Sequence, residues 1–318
     1  MTSQLAQTPE LLMVAHGLKI DGLAAAVSEA FEAEGVPCIL LKGRVLADWL
    51  YNADEVRTYG DADLMVSPFN WTRAQAILES MGFEGELDHL GHPRMESFTS
   101  YPFVRGDDHV DLHCTLWGVG ASPQRAWEEL WATTEPKQVG GRTVSVLGPA
   151  ARAMHVALHA VQHGVLDTKM TADLERAVDR LPLGLWEQAA ALALRLDAAA
   201  AFATGLRMVP AGRTLSSRLG LDGVRSVRAE LCLSGVPLAQ GFEHLAGTTG
   251  LQTRARLLAR ELVPKPAFMR WWCPRVAQRG ALGLGAAYLW RIIFFARHAL
   301  PGYVAWRRAR RSSAAGAR

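Results

Sequence analysis

Cysteine is scarce in this sequence, and its four cysteines are far apart. Cys38, Cys114, Cys232 and Cys273 show no CxxC pair and no Cys/His spacing typical of a zinc ligand set. This pattern argues against a zinc module or a disulfide framework, and it fits the reducing cytoplasm. The first twenty residues also lack a basic leader followed by a continuous apolar stretch, so we expect no secretion signal.

A long uninterrupted apolar run is missing as well. The longest apolar segment, residues 281–299, contains Arg291 and Arg297. Because a membrane-spanning helix needs about 20 consecutive apolar residues, we expect no transmembrane helix in this segment.

Net charge is low, because 34 Lys and Arg residues stand against 31 Asp and Glu residues and leave only +3. This balance does not by itself indicate a nucleic-acid partner, and because no continuous basic groove is evident in the core, we expect none. The basic excess is confined to residues 252–318, where Glu261 is the single acid among many arginines. Residues 280–311 could therefore associate weakly and peripherally with an anionic membrane. We favour the alternative that they form a terminal helix docked on the protein's own core.

The spacing of apolar residues predicts alternating strands and helices before Gly148 and helices after it. The predicted elements of the first part are helices over 21–35, 44–51 and 67–81, strands over 37–41 and 61–66, and a hairpin of 96–104 with 109–116. After Gly148 the composition becomes rich in Ala, Leu and Arg, with helix breaks near 181–184, 209–212 and 263–266.

These patterns predict an α+β fold, in which a mixed sheet flanked by helices precedes an all-helical C-terminal region. We expect the sheet core, with its N-terminal helix, to span residues 1–148. A helical domain should follow over 149–311, and residues 312–318 should form a disordered tail because they have little apolar surface to bury.

Three aspartates lie in predicted strands at positions that place them on one face of the sheet. Side chains alternate along a strand, so Asp61 and Asp63 point together while Ala62 points into the core. In Val110-Asp111-Leu112-His113 the same alternation presents Asp111 and His113. A divalent cation relieves the repulsion between such carboxylates. The three aspartates are therefore predicted to bind metal and to be catalytic.

A strand-to-helix turn, Lys42-Gly43-Arg44, precedes the aspartates. Free backbone N–H groups at such a turn favour a phosphate, and glycine permits its close approach. Arg57 adds positive charge nearby. Lys42, Gly43, Arg44 and Arg57 are therefore predicted to bind a phosphate group, and the family resemblance given next implies that this group belongs to a nucleotide.

Three sequence segments, LLKG, YNADEVRTYGDADLMV and HVDLHCTLW, resemble the bacterial uncharacterised nucleotidyltransferase family of the DNA polymerase β-like nucleotidyltransferase superfamily. By this resemblance Gly43 is the turn glycine, Asp61 and Asp63 are the metal-binding pair, and Asp111 is the third carboxylate. The resemblance covers about residues 30 to 180. It implies transfer of an NMP group from an NTP to a small-molecule or peptide acceptor, with Mg²⁺ or Mn²⁺. Arg44 departs from the Ser or Gly that most active members of the superfamily carry there.

His155, His159 and His163 recur every four residues and should share one helix face. No acid or cysteine completes a metal site with them, so we favour packing or substrate contact. His113 and His159 are the candidate substrate contacts, and the narrower family resembles this segment.

Two other functions stay open. Arg44 at the turn would suit a non-catalytic nucleotide-sensing or partner-binding protein that retains the fold. The C-terminal arginines would suit a peripheral membrane protein or a nucleic-acid-binding protein. Neither alternative accounts for three acids in the order of the superfamily.

Overall fold

A computed structural model describes residues 9–90, 99–164 and 167–316. Its strands are β1 (Cys38–Leu40), β2 (Ala62–Val66), β3 (Glu84–Gly85), β4 (Ser100–Arg105), β5 (Asp108–His113), β6 (Glu135–Val139) and β7 (Arg142–Val146). They form one sheet in the order β3-β4-β5-β2-β1-β7-β6. β2 pairs parallel with β5 and antiparallel with β1. The predicted mixed sheet is confirmed.

One face of the sheet is covered by N-terminal helices. The helices before residue 148 are α1 (Pro9–Ala33), α2 (Arg44–Leu50), α3 (Trp71–Ser80) and α4 (Pro123–Trp131). Phe31 of α1 and Trp71 of α3 share a hydrophobic cluster with Ala62 and Leu64 of β2. Ala62 and Leu64 thus point into the core as predicted, which leaves Asp63 on the opposite face.

Helix α1 begins twelve residues before the predicted start at Asp21. Its first part shows no amphipathic spacing, because Leu11, Leu12 and Leu18 are all exposed. Residues Leu11–Ala33 are long and apolar enough to cross a membrane by composition alone, although 39% of the most apolar stretch is buried in the protein. The part that packs on the sheet serves as a core helix.

The predicted hairpin is confirmed between β4 and β5, which pair antiparallel from Ser100↔His113 to Arg105↔Asp108. Residues 96–98 of the predicted first strand lie outside the described residues. A second hairpin, β6–β7, was not predicted. Its turn, Gly140-Gly141, has positive φ at both residues, 57° and 82°, and such a turn matches the twist of a two-residue hairpin.

The second half of the chain is helical, as predicted. Its helices are α5 (Pro149–His163), α6 (Thr168–Arg180), α7 (Leu183–Arg195), α8 (Ala199–Leu206), α9 (Pro210–Arg218), α10 (Val227–Ser234), α11 (Ala239–Gly247), α12 (Leu251–Leu262), α13 (Pro266–Trp272), α14 (Pro274–Ala277) and α15 (Gly280–Gly316). The three predicted breaks fall between α6 and α7, α8 and α9, and α12 and α13. Helix breaks at Pro and Gly are therefore readable from this sequence.

A single hydrophobic cluster joins the sheet to the helices on its second face. Ile39, Leu41 and Met65 of the sheet region belong to the same cluster as Met154 and Leu158 of α5. One hydrophobic core therefore contains residues from both sides of the predicted domain boundary at residue 148. The division into domains stays a prediction.

The last helix is longer than expected. We predicted a disordered tail over 312–318, but α15 continues to Gly316. Ser and Ala extend a helix that has already formed at little cost in free energy, because the unfavourable nucleation step is not repeated. The structure thus places residues 312–316 in α15, and residues 317–318 lie outside the described part, so the disorder of the tail stays a prediction.

Candidate active site

The end of β1 and the beginnings of β2 and β5 meet at one edge of the sheet. The backbone N–H of Leu41 donates to the Asp63 carbonyl at 3.0 Å. Asp63 and Asp111 are register partners in the parallel β2–β5 pair. The sheet therefore brings Asp111 beside Asp63, on the face that the alternation of side chains predicted.

Asp63 is the centre of the polar cluster at this edge. It is 2% exposed, and its Oδ1 lies 2.7 Å from Lys42 Nζ and 3.2 Å from His113 Nε2. One ligand atom from each of Asp63, Asp111 and His113 lies within 4.8 Å of the others. This group differs from the predicted trio, because it includes His113 and leaves Asp61 outside. Metal binding and catalysis by Asp61, Asp63 and Asp111 stay predictions.

The three carboxylates differ in their tendency to ionise. Burial opposes ionisation of Asp63, but attraction to Lys42 and the hydrogen bond from His113 outweigh it and lower the pKa of Asp63. The negative charge of Asp63 raises the pKa of Asp61, and burial adds to this effect. Burial also raises the pKa of Asp111, with a further contribution from Asp63. A cation nearby would therefore favour the ionised forms of Asp61 and Asp111.

A divalent cation fits these residues. Two carboxylates and an imidazole supply hard oxygen donors and one nitrogen donor, which is an acceptable ligand set for such an ion. The raised pKa values of Asp61 and Asp111 reflect an excess of buried negative charge that a bound cation would offset.

The turn that carries Lys42 depends on Gly43. Gly43 has φ 67° and ψ −127°, a conformation that residues with a side chain rarely adopt. Tyr59 covers it, since a Cβ atom at Gly43 would lie 3.5 Å from the Tyr59 ring. The turn directs Lys42 toward the carboxylates, where its Nζ also lies 3.5 Å from His159 Nε2.

Arg44 and Arg57 are placed differently from Lys42. Arg44 is exposed on α2 and pairs with Asp48 at 2.8 Å, while the buried Arg57 pairs with Asp173 at 2.7 Å. Both arginines line a cavity of about 520 Å³ beside α1 and α2. Within the described residues, the wall of this cavity includes none of the three aspartates. Nucleotide binding by Gly43, Arg44 and Arg57 stays a prediction.

The three histidines of α5 form a row beside Lys42. Their rings follow one another along one helix face, with centroids 5.7 Å apart from His155 to His159 and 4.4 Å apart from His159 to His163. Burial and the charge of Lys42 lower the pKa of His155 to about 3 and that of His159 well below its usual value. Both side chains are therefore neutral in the folded protein.

We expect this burial to make the protein sensitive to mild acid. In the unfolded chain a histidine is protonated below about pH 6.5, whereas folded His155 and His159 remain neutral. The free energy of unfolding is therefore highest above that pH and decreases as the pH falls. Between about pH 7.5 and about pH 5.5 the loss should be about 1.4 kcal/mol per histidine, or roughly 3 kcal/mol together.

Urea unfolding at a series of pH values measures this dependence. In the His155→Gln variant, unfolding should take up about one proton fewer, so the free energy of unfolding should change less steeply with pH. An unchanged slope would show that His155 is not buried in its neutral form.

The sequence profile of the family described as "Uncharacterised nucleotidyltransferase" matches residues 9–211, which is more than half of the chain. The chain belongs to this family. The match confirms the resemblance carried by the Lys42-Gly43 turn and the aspartate strands, and it extends over α5 to α8. A comparison with curated proteins found no match.

Several solved structures are similar to this nucleotidyltransferase family member. The antibiotic-resistance factor ANT(2'')-Ia in solution is 18% identical, with TM-score 0.40, over 58% of this chain and 94% of that chain. A crystal structure of ANT(2'')-Ia with adenylyl-2''-tobramycin is 19% identical, with TM-score 0.40, over 55% and 97%. An antigenic nucleotidyltransferase-like protein from Paracoccidioides brasiliensis is 16% identical, with TM-score 0.38, over 66% and 95%.

One residue near the carboxylates of this family member was missed in the sequence. Lys169 stands in the first turn of α6 and is partly buried. Burial and the charge of Arg57 lower the pKa of Lys169, and its own charge acts on Asp61. Nothing in the local sequence distinguishes Lys169 from a surface lysine, because its neighbours at the site lie more than one hundred residues earlier.

Proposed function

We propose that this protein is a nucleotidyltransferase that uses Mg²⁺ or Mn²⁺ to transfer an NMP group from an NTP to a small-molecule or peptide acceptor. The observation that carries the proposal is the register pairing of Asp63 with Asp111, which sets two carboxylates side by side on one face of the sheet. This arrangement occurs in a chain of a nucleotidyltransferase family.

In the proposed reaction an oxygen or nitrogen atom of the acceptor attacks the α-phosphorus of the NTP. The bond from that phosphorus to the bridging oxygen breaks, and pyrophosphate leaves. Asp63, Asp111 and Asp61 would hold the metal, which neutralises phosphate charge and aligns the attacking and leaving oxygens when bound. We also assign to Asp111 the removal of the proton from the attacking oxygen or nitrogen of the acceptor.

Two lysines are suited to the phosphate groups of the NTP. Lys42 pairs with Asp63, and the charge of Lys169 acts on Asp61. Lysine binds phosphate as a point charge, so it needs no fixed geometry. We assign both lysines to phosphate binding and His159 to a contact at the acceptor side. His113, which lies with Asp63 and Asp111, would add a nitrogen ligand to the metal.

Charge supports a small acceptor over a nucleic acid. Residues 1–148 hold 10 Lys and Arg residues against 21 Asp and Glu residues, a formal charge of −11. A polyanion would be repelled by such a surface. The acceptor is therefore proposed to be neutral or cationic, such as a sugar, an amine or a peptide.

We expect an NTP together with Mg²⁺ or Mn²⁺ to stabilise the protein more than either component alone. A ligand at 100 times its dissociation constant raises the free energy of unfolding by about 2.7 kcal/mol. Melting curves with each of the four NTPs, with metal or with chelator, measure this effect. Equal shifts with and without metal would contradict metal-dependent binding.

A mass-spectrometric screen of the same NTPs with cell extract then tests transfer. A product heavier than its acceptor by one NMP group supports the proposal. The screen also tests the second candidate function, non-catalytic nucleotide sensing. The ion pair between Lys42 and Asp63 favours that candidate, because it already neutralises a carboxylate that a metal would need. Stabilisation by nucleotide without any product would support sensing over transfer.

A further inference from the structure

The chain divides into an acidic part and a strongly basic part. Residues 1–250 hold 20 Lys and Arg residues against 30 Asp and Glu residues, a formal charge of −10. Residues 251–318 hold 14 against one, a formal charge of +13. Such a segregation of charge points to an anionic partner for the C-terminal helices.

Helix α15 carries an unbroken apolar stripe on its exposed face. Leu282, Leu289, Ile293, Leu300 and Val304 follow one another at intervals of seven and four residues, which is the spacing of one helix face. Their exposed fractions range from 38% to 91%. A stripe of this length on the outside of a protein marks an interaction surface.

Positive charge and tryptophan border this stripe. Arg297 lies beside it, and the exposed arginines Arg307, Arg308 and Arg311 lie at its C-terminal end. Trp290 of α15 is 55% exposed. Aromatic and basic residues around an apolar face are typical of helices that lie in the interface of a lipid bilayer.

The opposite face of α15 explains why the stripe points outward. Arg291 is buried there, and its Nε donates to the Glu261 carbonyl of α12 at 2.8 Å. Its guanidinium also stacks over Trp272 of α13 at 5.1 Å. Because Arg291 fixes α12 and α13 against this face, the stripe is left without a partner from the described part of the chain.

An apolar groove continues the stripe toward α11 and α12. It has a volume of about 470 Å³ and is lined by residues that include Leu245, Leu258, Leu262, Ile292 and Phe295. The groove therefore adds apolar area at the edge of the stripe, where acyl chains would meet the protein.

We propose that the basic stripe surface, formed by the exposed face of α15 with Arg297, Arg307, Arg308 and Arg311, docks on an anionic lipid bilayer. The apolar stripe enters the interface, and the surrounding arginines bind lipid phosphates. A second copy of the chain fits less well as the partner. If two stripes packed together, the two copies of residues 251–318, each with a formal charge of +13, would repel each other. A nucleic acid fits less well, because its phosphate backbone offers nothing to the leucines and isoleucines.

Co-sedimentation of the full-length protein with lipid vesicles tests this proposal. We expect binding to vesicles of phosphatidylcholine mixed with phosphatidylserine, little binding to phosphatidylcholine alone, and release at high salt. The double variant Leu289→Asp/Ile293→Asp should weaken binding at least tenfold, because two apolar side chains can no longer enter the interface. Leu194→Asp on α7 is the matched control, since Leu194 is an equally exposed leucine, at 64% against 60% for Leu289.

A second pair of variants tests the charge. Arg297→Glu should weaken binding to anionic vesicles, whereas Arg218→Glu on α9 should not, and both arginines are exposed. Melting curves confirm that each variant folds. The proposal is overturned if anionic vesicles do not bind, if the controls lose as much binding as the test variants, if the stripe variants instead dissociate a dimer, or if RNA displaces the vesicles.

Discussion

Replacing Asp63 with Asn is expected to lower nucleotidyl transfer by about three orders of magnitude, equivalent to roughly 4 kcal/mol of transition-state stabilisation. The substitution keeps the size of the side chain and removes the charge that pairs with Lys42 and contacts Asp111. Transfer is measured by single-turnover kinetics with the NTP and acceptor identified in the screen.

Asp111→Asn provides a second test that does not disturb Lys42. We expect a similar loss of transfer but equal or higher thermal stability without metal, because one of the mutually repelling carboxylates is gone. The double variant Asp63→Asn/Asp111→Asn should be scarcely worse than either single one, since residues that hold one metal act as a unit.

Ala62→Asn and Asp179→Asn are the controls for these variants. Ala62 is buried in the core on the other face of β2, so an amide there should destabilise the fold without a specific effect on transfer. Asp179 is exposed on α6, so Asp179→Asn should alter neither the stability of the fold nor the rate of transfer. Full turnover by Asp63→Asn would refute the active site proposed here.

The largest expected loss of stability comes from Asp173→Asn. Arg57 donates to Asp173 from Nε at 2.9 Å and from Nη2 at 2.7 Å, and Tyr51 donates to it at 2.7 Å. The side chains of Arg57 and Asp173 are 2% and 3% exposed. Removing one partner of a buried ion pair leaves the other charge unpaired and costs about 3 to 5 kcal/mol. Urea unfolding measures this difference.

Asp179→Asn on the same helix serves again as the matched control and should change stability by no more than about 0.5 kcal/mol. Arg57→Met/Asp173→Leu should recover most of the lost stability, because an apolar pair leaves no buried charge. If Asp173→Asn costs less than about 1 kcal/mol, the ion pair does not carry the expected energy.

Local patterns were sufficient to predict the sheet side of the candidate site. The alternation of Asp63 with Ala62 and Leu64 gave the correct inward and outward faces. The same alternation in Val110-Asp111-Leu112 gave the face of Asp111, whereas its position beside Asp63 follows from the pairing of β2 with β5, which the alternation does not contain. These predictions held because one face of each strand is buried, and a shift by one residue would have reversed every side chain.

The helical side of the site depends on contacts that local patterns cannot contain. Arg57 meets a partner 116 residues later in the chain, so its predicted role in nucleotide binding was inferred without its strongest interaction. Lys169 has no distinctive neighbours in sequence. The hairpin β6–β7 was missed because its strands are short and polar, although Gly140-Gly141 marks its turn.

The buried ion pair between Arg57 and Asp173 also sets an order of events during synthesis. A ribosome adds about 5 to 20 residues per second. Asp173 is therefore synthesised roughly 6 to 23 seconds after Arg57. During that interval Ile39, Leu41 and Met65, which α5 later covers, remain open to solvent. The nascent sheet therefore exposes apolar surface until the helices emerge, and transiently exposed apolar surface favours aggregation.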